Sequence, residues 1–325
     1  SLVLLVRLLQ NIDYHLDPPP LRYPKDEEDY GLTRGAIDGL AAEGVTLLVT
    51  LDSGIRDVDE IRYAKSKGME VIVCDHHEQA DELPDAIIVN PKQRDCAYPF
   101  KELAGVGVAF MLCRAVLERH GRQQAWEEGR LFPSDRDGVL DSLLDLVALG
   151  TIADIVPMRG ENRTLVKLGL EVLARTGHAG LKMLKASLWP AGRGDAGGNG
   201  TSRVTAKQVA WNIAPLLNTP GRFGRSGLTA SFFLEKDEKT LKAVIDEIMR
   251  LNENRRSMLT RMCDSFRAQV QEGKFLAGDS LIFVDEGEIP DGMCGLLASR
   301  LADTFGKAVI TVSRKERNGH VKGSG

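Results

Sequence analysis

Val45-Thr-Leu-Leu-Val-Thr-Leu51 ends in Asp52-Ser53-Gly54. A helical stretch over residues 57–67 stops at Gly68, and Glu70-Val-Ile-Val-Cys74 then ends in Asp75-His76-His77. Ala86-Ile-Ile-Val89 follows and ends in Asn90-Pro91. Three short β-branched runs alternating with helix predict a parallel α/β sheet covered on both faces, because strands buried on both sides read as continuous apolar runs. In such sheets ligands sit beyond the carboxyl ends of the strands. Asp52, Asp75, His76 and His77 all fall there.

The rest of the chain extends this frame. A Gly-rich turn, Ala104-Gly-Val-Gly107, opens a helix over 103–120, and another over 137–149 runs into Gly150-Thr-Ile-Ala-Asp154-Ile-Val-Pro157. Segment 13–30, with Asp17-Pro-Pro-Pro20, and segment 191–203, with five glycines, read as surface loops. From Glu235 to Glu272 there is no Gly or Pro, and Leu241, Val244, Ile245, Ile248, Leu251, Met258, Leu259, Met262 and Phe266 recur at helical spacing. One helix of about 35 residues would span roughly 50 Å, long for a single small domain, so it is read as a connector. Strands at 280–284 and 308–312 flank a helix at 294–305, making the second lobe α/β as well. The expected domains are residues 1–234, the linking helix 235–272, and 273–325.

Composition sets the class. The 325 residues exceed one compact core. At 43% hydrophobic the chain is too apolar for disorder, yet no apolar run approaches the roughly 20 residues of a spanning helix. Arg7 interrupts the apolar start, which reads as the end of an amphipathic helix rather than a signal peptide. Five scattered cysteines without a CxxC pair point to free thiols in a reducing, cytoplasmic compartment, with Cys74 as core packing. The net charge of −4 averages an acidic part and a basic one. Residues 1–202 hold 23 Lys/Arg against 31 Asp/Glu, whereas 203–274 hold 13 against 8. Only the latter segment offers a polyanion a basic face. Trp189 and Trp211 are expected in the core, and His15, His120, His178 and His320 at the surface or at helix caps.

The chemistry gathers at the strand ends. Asp154 lies in an apolar stretch, where a carboxylate must be paired, capped or bound to a metal. Imidazole with several carboxylates suits manganese or magnesium better than thiolate-bound zinc. Two such ions could polarise a phosphoryl oxygen and generate hydroxide, which is phosphoester hydrolysis.

Leu48-Val-Thr-Leu-Asp52-Ser-Gly54, Val71-Ile-Val-Cys-Asp75-His-His77-Glu78, Asn90-Pro-Lys92, Leu103-Ala-Gly-Val-Gly-Val-Ala109 and the run from Asp145 to Pro157 together resemble the DHH phosphoesterase superfamily, and more narrowly the RecJ-type single-strand-specific DNA exonucleases. Glu161-Asn-Arg163, Asn218-Thr-Pro-Gly-Arg222, Gly295-Leu-Leu-Ala-Ser-Arg300 and Lys322-Gly-Ser-Gly325 extend the resemblance. It implies a parallel-sheet DHH domain joined by the long helix to a smaller DHH-associated α/β domain, and 5′→3′ degradation of single-stranded DNA in repair and recombination. It also implies two manganese or magnesium ions held by Asp52, His76 and Asp154, with Asp75 orienting a ligand and His77 facing the scissile phosphate. Asn218 and Arg222 in a Gly-flanked turn, and Gly323, Ser324 and Gly325 in a loop, would contact the nucleic-acid backbone. Single-stranded DNA, a single-strand-binding protein and a helicase are the implied partners of a monomer with no membrane association.

Two other functions fit the same residues: a phosphatase of short oligonucleotides or nucleotide bisphosphates, and a non-catalytic DNA-binding relative. The family carries an Asp-rich motif upstream of the helix that residues 1–10 continue, and more of the second lobe after the glycine motif. This polypeptide by itself is therefore expected to be trimmed at both ends, to bind metal weakly and to hydrolyse little. Leu216 stands where the family often has Arg.

Overall fold

The computed structural model describes residues 1–12, 20–23, 31–127, 138–189, 204–272, 280–285, 289–317 and 320–325. The loops expected at 13–30 and 191–203 fall almost wholly outside these, as do His15 and the side chain of His320.

The elements run α1 (Leu2–Asn11), α2 (Arg34–Ala42), β1 (Leu47–Leu51), α3 (Val58–Ser66), β2 (Glu70–Cys74), β3 (Ile87–Val89), α4 (Gly105–Glu127), α5 (Val139–Ala153), α6 (Gly160–Ala174), α7 (Ala179–Leu188) and α8 (Ala206–Gln208). A π-helical segment (Val209–Ile213) follows, then α9 (Ala214–Arg222), α10 (Ser226–Leu234), α11 (Glu238–Gln271), β4 (Leu281–Val284), α12 (Asp291–Phe305), β5 (Ala308–Arg317) and β6 (His320–Ser324). Residues 1–215 and 233–236 form one compact unit, and 216–232 with 237–325 form a second.

The first unit is a parallel sheet in the order β1-β2-β3, as the alternating runs predict. Strand alternation sends Val71 and Val73 to one face, where they meet Leu48, Ile55 and Ile61 beneath α2 and α3. Cys74 is turned to the other face and packs with α1, α4 and α5 through Leu4, Leu8, Val106, Phe110 and Val147. Both faces thus carry packed helices, and ligands in such sheets bind beyond the strand ends.

The second unit holds a three-stranded sheet, β4-β5-β6, in which β4 pairs parallel to β5 and β6 returns antiparallel. The side chain of Asp237 caps α11 by accepting from the Thr240 backbone N–H at 2.8 Å. Leu259, Cys263 and Phe266 of α11 pack with Leu297 and Leu301 of α12 and with Ile282 and Val309 of the sheet. The 34-residue helix agrees with its periodicity, and it belongs to the second unit throughout.

Three local readings change. Asn218 and Arg222 lie on α9 rather than in a turn. Pro220 lies inside that helix, where it cannot donate to the Leu216 carbonyl one turn back. Gly323 and Ser324 belong to β6, paired with Val312 and Thr311, and not to a loop. Trp211 is 74% exposed on the π-helical segment and is no core residue. Leu216 is buried and fills an apolar position.

Candidate metal centre

β1 and β2 deliver their ends side by side. The Asp52 N–H still donates to the Cys74 carbonyl at 2.8 Å, so the parallel ladder reaches one residue past β1. There the backbone turns left-handed, with φ of 66° at Asp52, a conformation that Asp tolerates better than most residues. The turn lays the carboxylate against the first turn of α4. A Cβ on Gly105 would come within 1.9 Å of Asp52 Oδ1, so this approach requires glycine. The positive end of a helix favours a carboxylate beside it.

His76 is buried and carries the cluster. Its Nε2 lies 3.2 Å from Asp52 Oδ1 and 3.6 Å from Asp154 Oδ2. Donor atoms of Asp52, His76 and His77 all fall within 4.8 Å of one another. Asp154 is the C-cap of α5, where the helix end disfavours negative charge. Burial and the charge of Asp52 push its carboxyl up, against the pull of His76. Burial also works against an ionised Asp52, but the hydrogen bond and charge of His76 outweigh it and hold that carboxyl down. Burial alone would push the His76 imidazole down, yet Asp52 and Asp154 raise it above its ordinary value. Two carboxylates converge on one imidazole nitrogen, one of them at the wrong end of a helix. A divalent cation among these donors satisfies all three, and an oxygen-rich set with one or two imidazoles fits manganese or magnesium.

Asp75 plays a different part. It is 1% exposed and accepts from the backbone N–H of Ile55 at 3.1 Å, of His76 at 2.7 Å and of His77 at 3.2 Å. His77 Nδ1 lies 2.7 Å from Asp75 Oδ1. A carboxylate so fully engaged is an orienting group, and it places the imidazole proton on Nδ1.

The structure therefore brings Asp52, Asp75, His76, His77 and Asp154 together: the first four stand at the strand ends that the sequence marks, and Asp154, singled out by its apolar stretch and the resemblance, ends α5. Asn218, Arg222, Gly323, Ser324 and Gly325 belong to the second unit. Arg222 donates from Nη1 to the Gly292 carbonyl at 2.9 Å, and burial lowers its pKa. Cys74 is buried beside the cluster with its thiol pushed up to about 12 by burial, as core packing requires. His178 precedes α7 but gives it no side-chain cap; its Nε2 lies 3.5 Å from the buried carboxylate of Asp145.

Three residues of the surroundings had no assigned role in the sequence. Gly105 is one. Asn90, 3% exposed, donates to the His77 carbonyl at 2.9 Å and accepts from the Lys92 N–H at 2.8 Å, locking the loop that carries both histidines. Asn162, fully buried, donates from Nδ2 to the carbonyls of Glu102 at 2.6 Å and Pro157 at 3.1 Å. The signal for Asn90 was a polar residue directly ending a buried strand. Asn162 stands in the Glu161-Asn-Arg163 run that extends the resemblance, but nothing local says what its side chain would hold.

Comparison with known proteins bears on the fold and the family likeness. Residues 1–151 match the DHH family, N-terminal domain. The chain is 37% identical over 322 residues to the single-stranded-DNA-specific exonuclease RecJ of Bacillus subtilis, covering 98% of this chain and 36% of that protein. It is 33% identical over 324 residues to RecJ of Escherichia coli, covering 97% and 52%. The chain thus spans about a third to a half of the length of these curated relatives. A crystal structure of exonuclease RecJ bound to manganese superposes with a TM-score of 0.76 at 29% identity, over 96% of this chain and 71% of that one. RecJ of Thermus thermophilus in complex with Mn2+ superposes with a TM-score of 0.69 at 29% identity, over 86% and 38%. Residues 1–151 thus match the DHH family's N-terminal domain, and the chain resembles RecJ proteins along nearly its whole length.

Proposed function

We propose that this chain carries the catalytic centre of a metal-dependent exonuclease that degrades single-stranded DNA from its 5′ end, in DNA repair and recombination. The observation that carries this reading is the convergence of Asp52 and Asp154 on His76 Nε2 at the ends of two parallel strands and a helix. Likeness to RecJ proteins, which are named as single-stranded-DNA-specific exonucleases, supplies the substrate.

Asp52, His76 and Asp154 are the metal ligands in this proposal. A pair of Mn2+ or Mg2+ ions would polarise the phosphoryl oxygen and supply hydroxide at neutral pH. Asp75 accepts a hydrogen bond from His77 Nδ1, which fixes the ring and leaves Nε2 as the nitrogen turned toward the substrate. Asn90 holds the loop so that this imidazole keeps its place. In the second unit, Asn218, Arg222, Gly323, Ser324 and Gly325 contact the nucleic-acid backbone, in keeping with the basic surplus of residues 203–274. The enzyme works as a cytoplasmic monomer, with a single-strand-binding protein and a helicase as partners. No helix among the described residues is long and apolar enough to cross a membrane.

The test is degradation of 5′-phosphorylated strands of increasing length by the full-length protein with Mn2+. Expected is turnover that rises with strand length, is negligible on duplex DNA and disappears with EDTA. Equal turnover of dinucleotides and long strands would favour the small-substrate phosphatase. Binding without turnover would favour the non-catalytic relative.

A further inference from the structure

Among the described residues, two that are not glycine have a left-handed backbone, and both are at this site. One is Asp52. The other is Ile155, with φ of 58°, directly after Asp154. A β-branched residue is a true outlier in this region, because its branched Cβ crowds the backbone. Burial does not repay the strain: at 89% exposed, Ile155 is the most exposed large apolar residue among those described.

The strain is held in place by its neighbours. Asn162 grips the Pro157 carbonyl from below and ties it to Glu102. Arg159 forms a two-pronged ion pair with Glu102, and Tyr98 Oη lies 2.7 Å from Glu161 Oε2. The Arg159 N–H also donates to the Pro157 carbonyl at 2.9 Å. Five residues thus fix a rim that presents Ile155, and Met158 at 42% exposed, to solvent beside the acidic cluster. Strain that surrounding structure over-determines is a mark of functional positions.

We propose that Ile155 is the apolar contact for the nucleoside, sugar and base face, that adjoins the scissile phosphate. A nucleotide presents an anionic end and an apolar face. The acidic cluster with its cation takes the first, and an aliphatic side chain one residue from Asp154 takes the second. This inference rests on the exonuclease reading above.

The experiment compares Ile155→Gly, Ile155→Ala and Ile155→Leu with the parent in the full-length protein. The measurements are melting temperature, Mn2+ dependence of turnover, and KM and kcat on a 5′-phosphorylated single strand. Fluorescence anisotropy then gives the affinity for a non-hydrolysable strand. Glycine relieves the strain and removes the contact, so the melting temperature rises by about 1–4 °C while KM rises about tenfold, with kcat and Mn2+ half-saturation nearly unchanged. Alanine loses the contact without the gain in stability, and leucine retains most of the affinity. A glycine variant with KM within about twofold of the parent overturns the proposal. So does a fall in melting temperature, which would mean that another part of the protein covers Ile155. A shifted Mn2+ dependence would overturn it too, placing the effect on Asp154 instead. If the parent neither binds nor degrades a single strand, the exonuclease reading itself fails.

Discussion

The two units contain the same construction: β1, α3 and β2 in the first, β4, α12 and β5 in the second. Each is a pair of parallel strands with a helix between. They differ at the strand ends. β1 and β2 stop after five residues each, and the next residues are Asp52 and Asp75-His76-His77. β5 runs on for ten residues and folds back along β6. The buried polar side chains differ in kind as well. Among the described residues, those of the second unit are the hydroxyls of Thr219, Thr311 and Ser313. The first unit buries the hydroxyls of Thr50, Thr151 and Thr176 too, but adds acids, an imidazole and amides at Asp75, His76, Asn90, Asp145 and Asn162. Hydroxyls are satisfied by nearby carbonyls, as Thr311 is by Cys294 at 2.9 Å. Buried charge must be organised around a partner. The shared βαβ unit therefore provides a place for chemistry, and the residues at its open end decide whether any occurs.

The sharpest way to break this contrast is His76→Ala. It removes the nitrogen on which two carboxylates converge, and turnover is expected to fall more than about 100-fold, beyond the effect of losing an outer-shell partner. Mn2+-dependent digestion and Mn2+ binding check this, with retained turnover ruling out the site.

Gly105→Ala comes next, because the added methyl would have to displace Asp52. A loss of about 10- to 100-fold is expected with the fold intact by circular dichroism. Its counterpart in the second unit is Gly295→Ala in α12, where a Cβ would meet the Ser324 side chain, its Oγ at 3.1 Å. Denaturant unfolding should show a change within about 1 kcal/mol there, since a side-chain hydroxyl can move.

Asn162→Ala leaves the carbonyls of Glu102 and Pro157 without their amide donor. The expected cost is about 1–3 kcal/mol, measured by urea unfolding. A neutral result would mean that the clamp on the 154–159 rim lies elsewhere.

The smallest effect belongs to the second unit's surface. Hydrogen bonds from Arg250 and Arg225, with their charges, hold half-buried Glu247 down from 4.5 to about 2. A lowered carboxyl stabilises above its ordinary value and loses that contribution as pH falls toward about 2. Glu247→Gln should therefore lower the melting temperature at neutral pH by about 2 °C or less, with the difference vanishing between pH 4.5 and 2. A difference that persists at pH 2 would assign it to packing.

The open ends of β1 and β2 were legible because apolar runs and the residues that stop them are local. So was α11, whose apolar spacing is uninterrupted. What escaped depends on contacts distant in sequence. Asn162 reaches a carbonyl sixty residues away. Gly105 matters because of a side chain on β1's far end. Asn218-Thr-Pro-Gly reads as a turn by composition, yet α9 runs through it in spite of Pro220. Gly323 and Ser324 read as a loop until β5 supplies hydrogen-bond partners. Trp211 was misplaced because size and apolarity predict burial on average, and a π-helical segment can turn a ring outward.

The left-handed backbone at Asp52 narrows the residue's replacements twice over. Glutamate keeps a carboxylate, but its longer chain gains no local hydrogen bond to offset the strain. Asparagine and glycine suit the backbone and lose the charge. No single replacement meets both conditions, so position 52 offers evolution no gradual path. It also makes Asp52→Asn a direct test of the proposed centre: a folded protein with intact backbone geometry and without the charge.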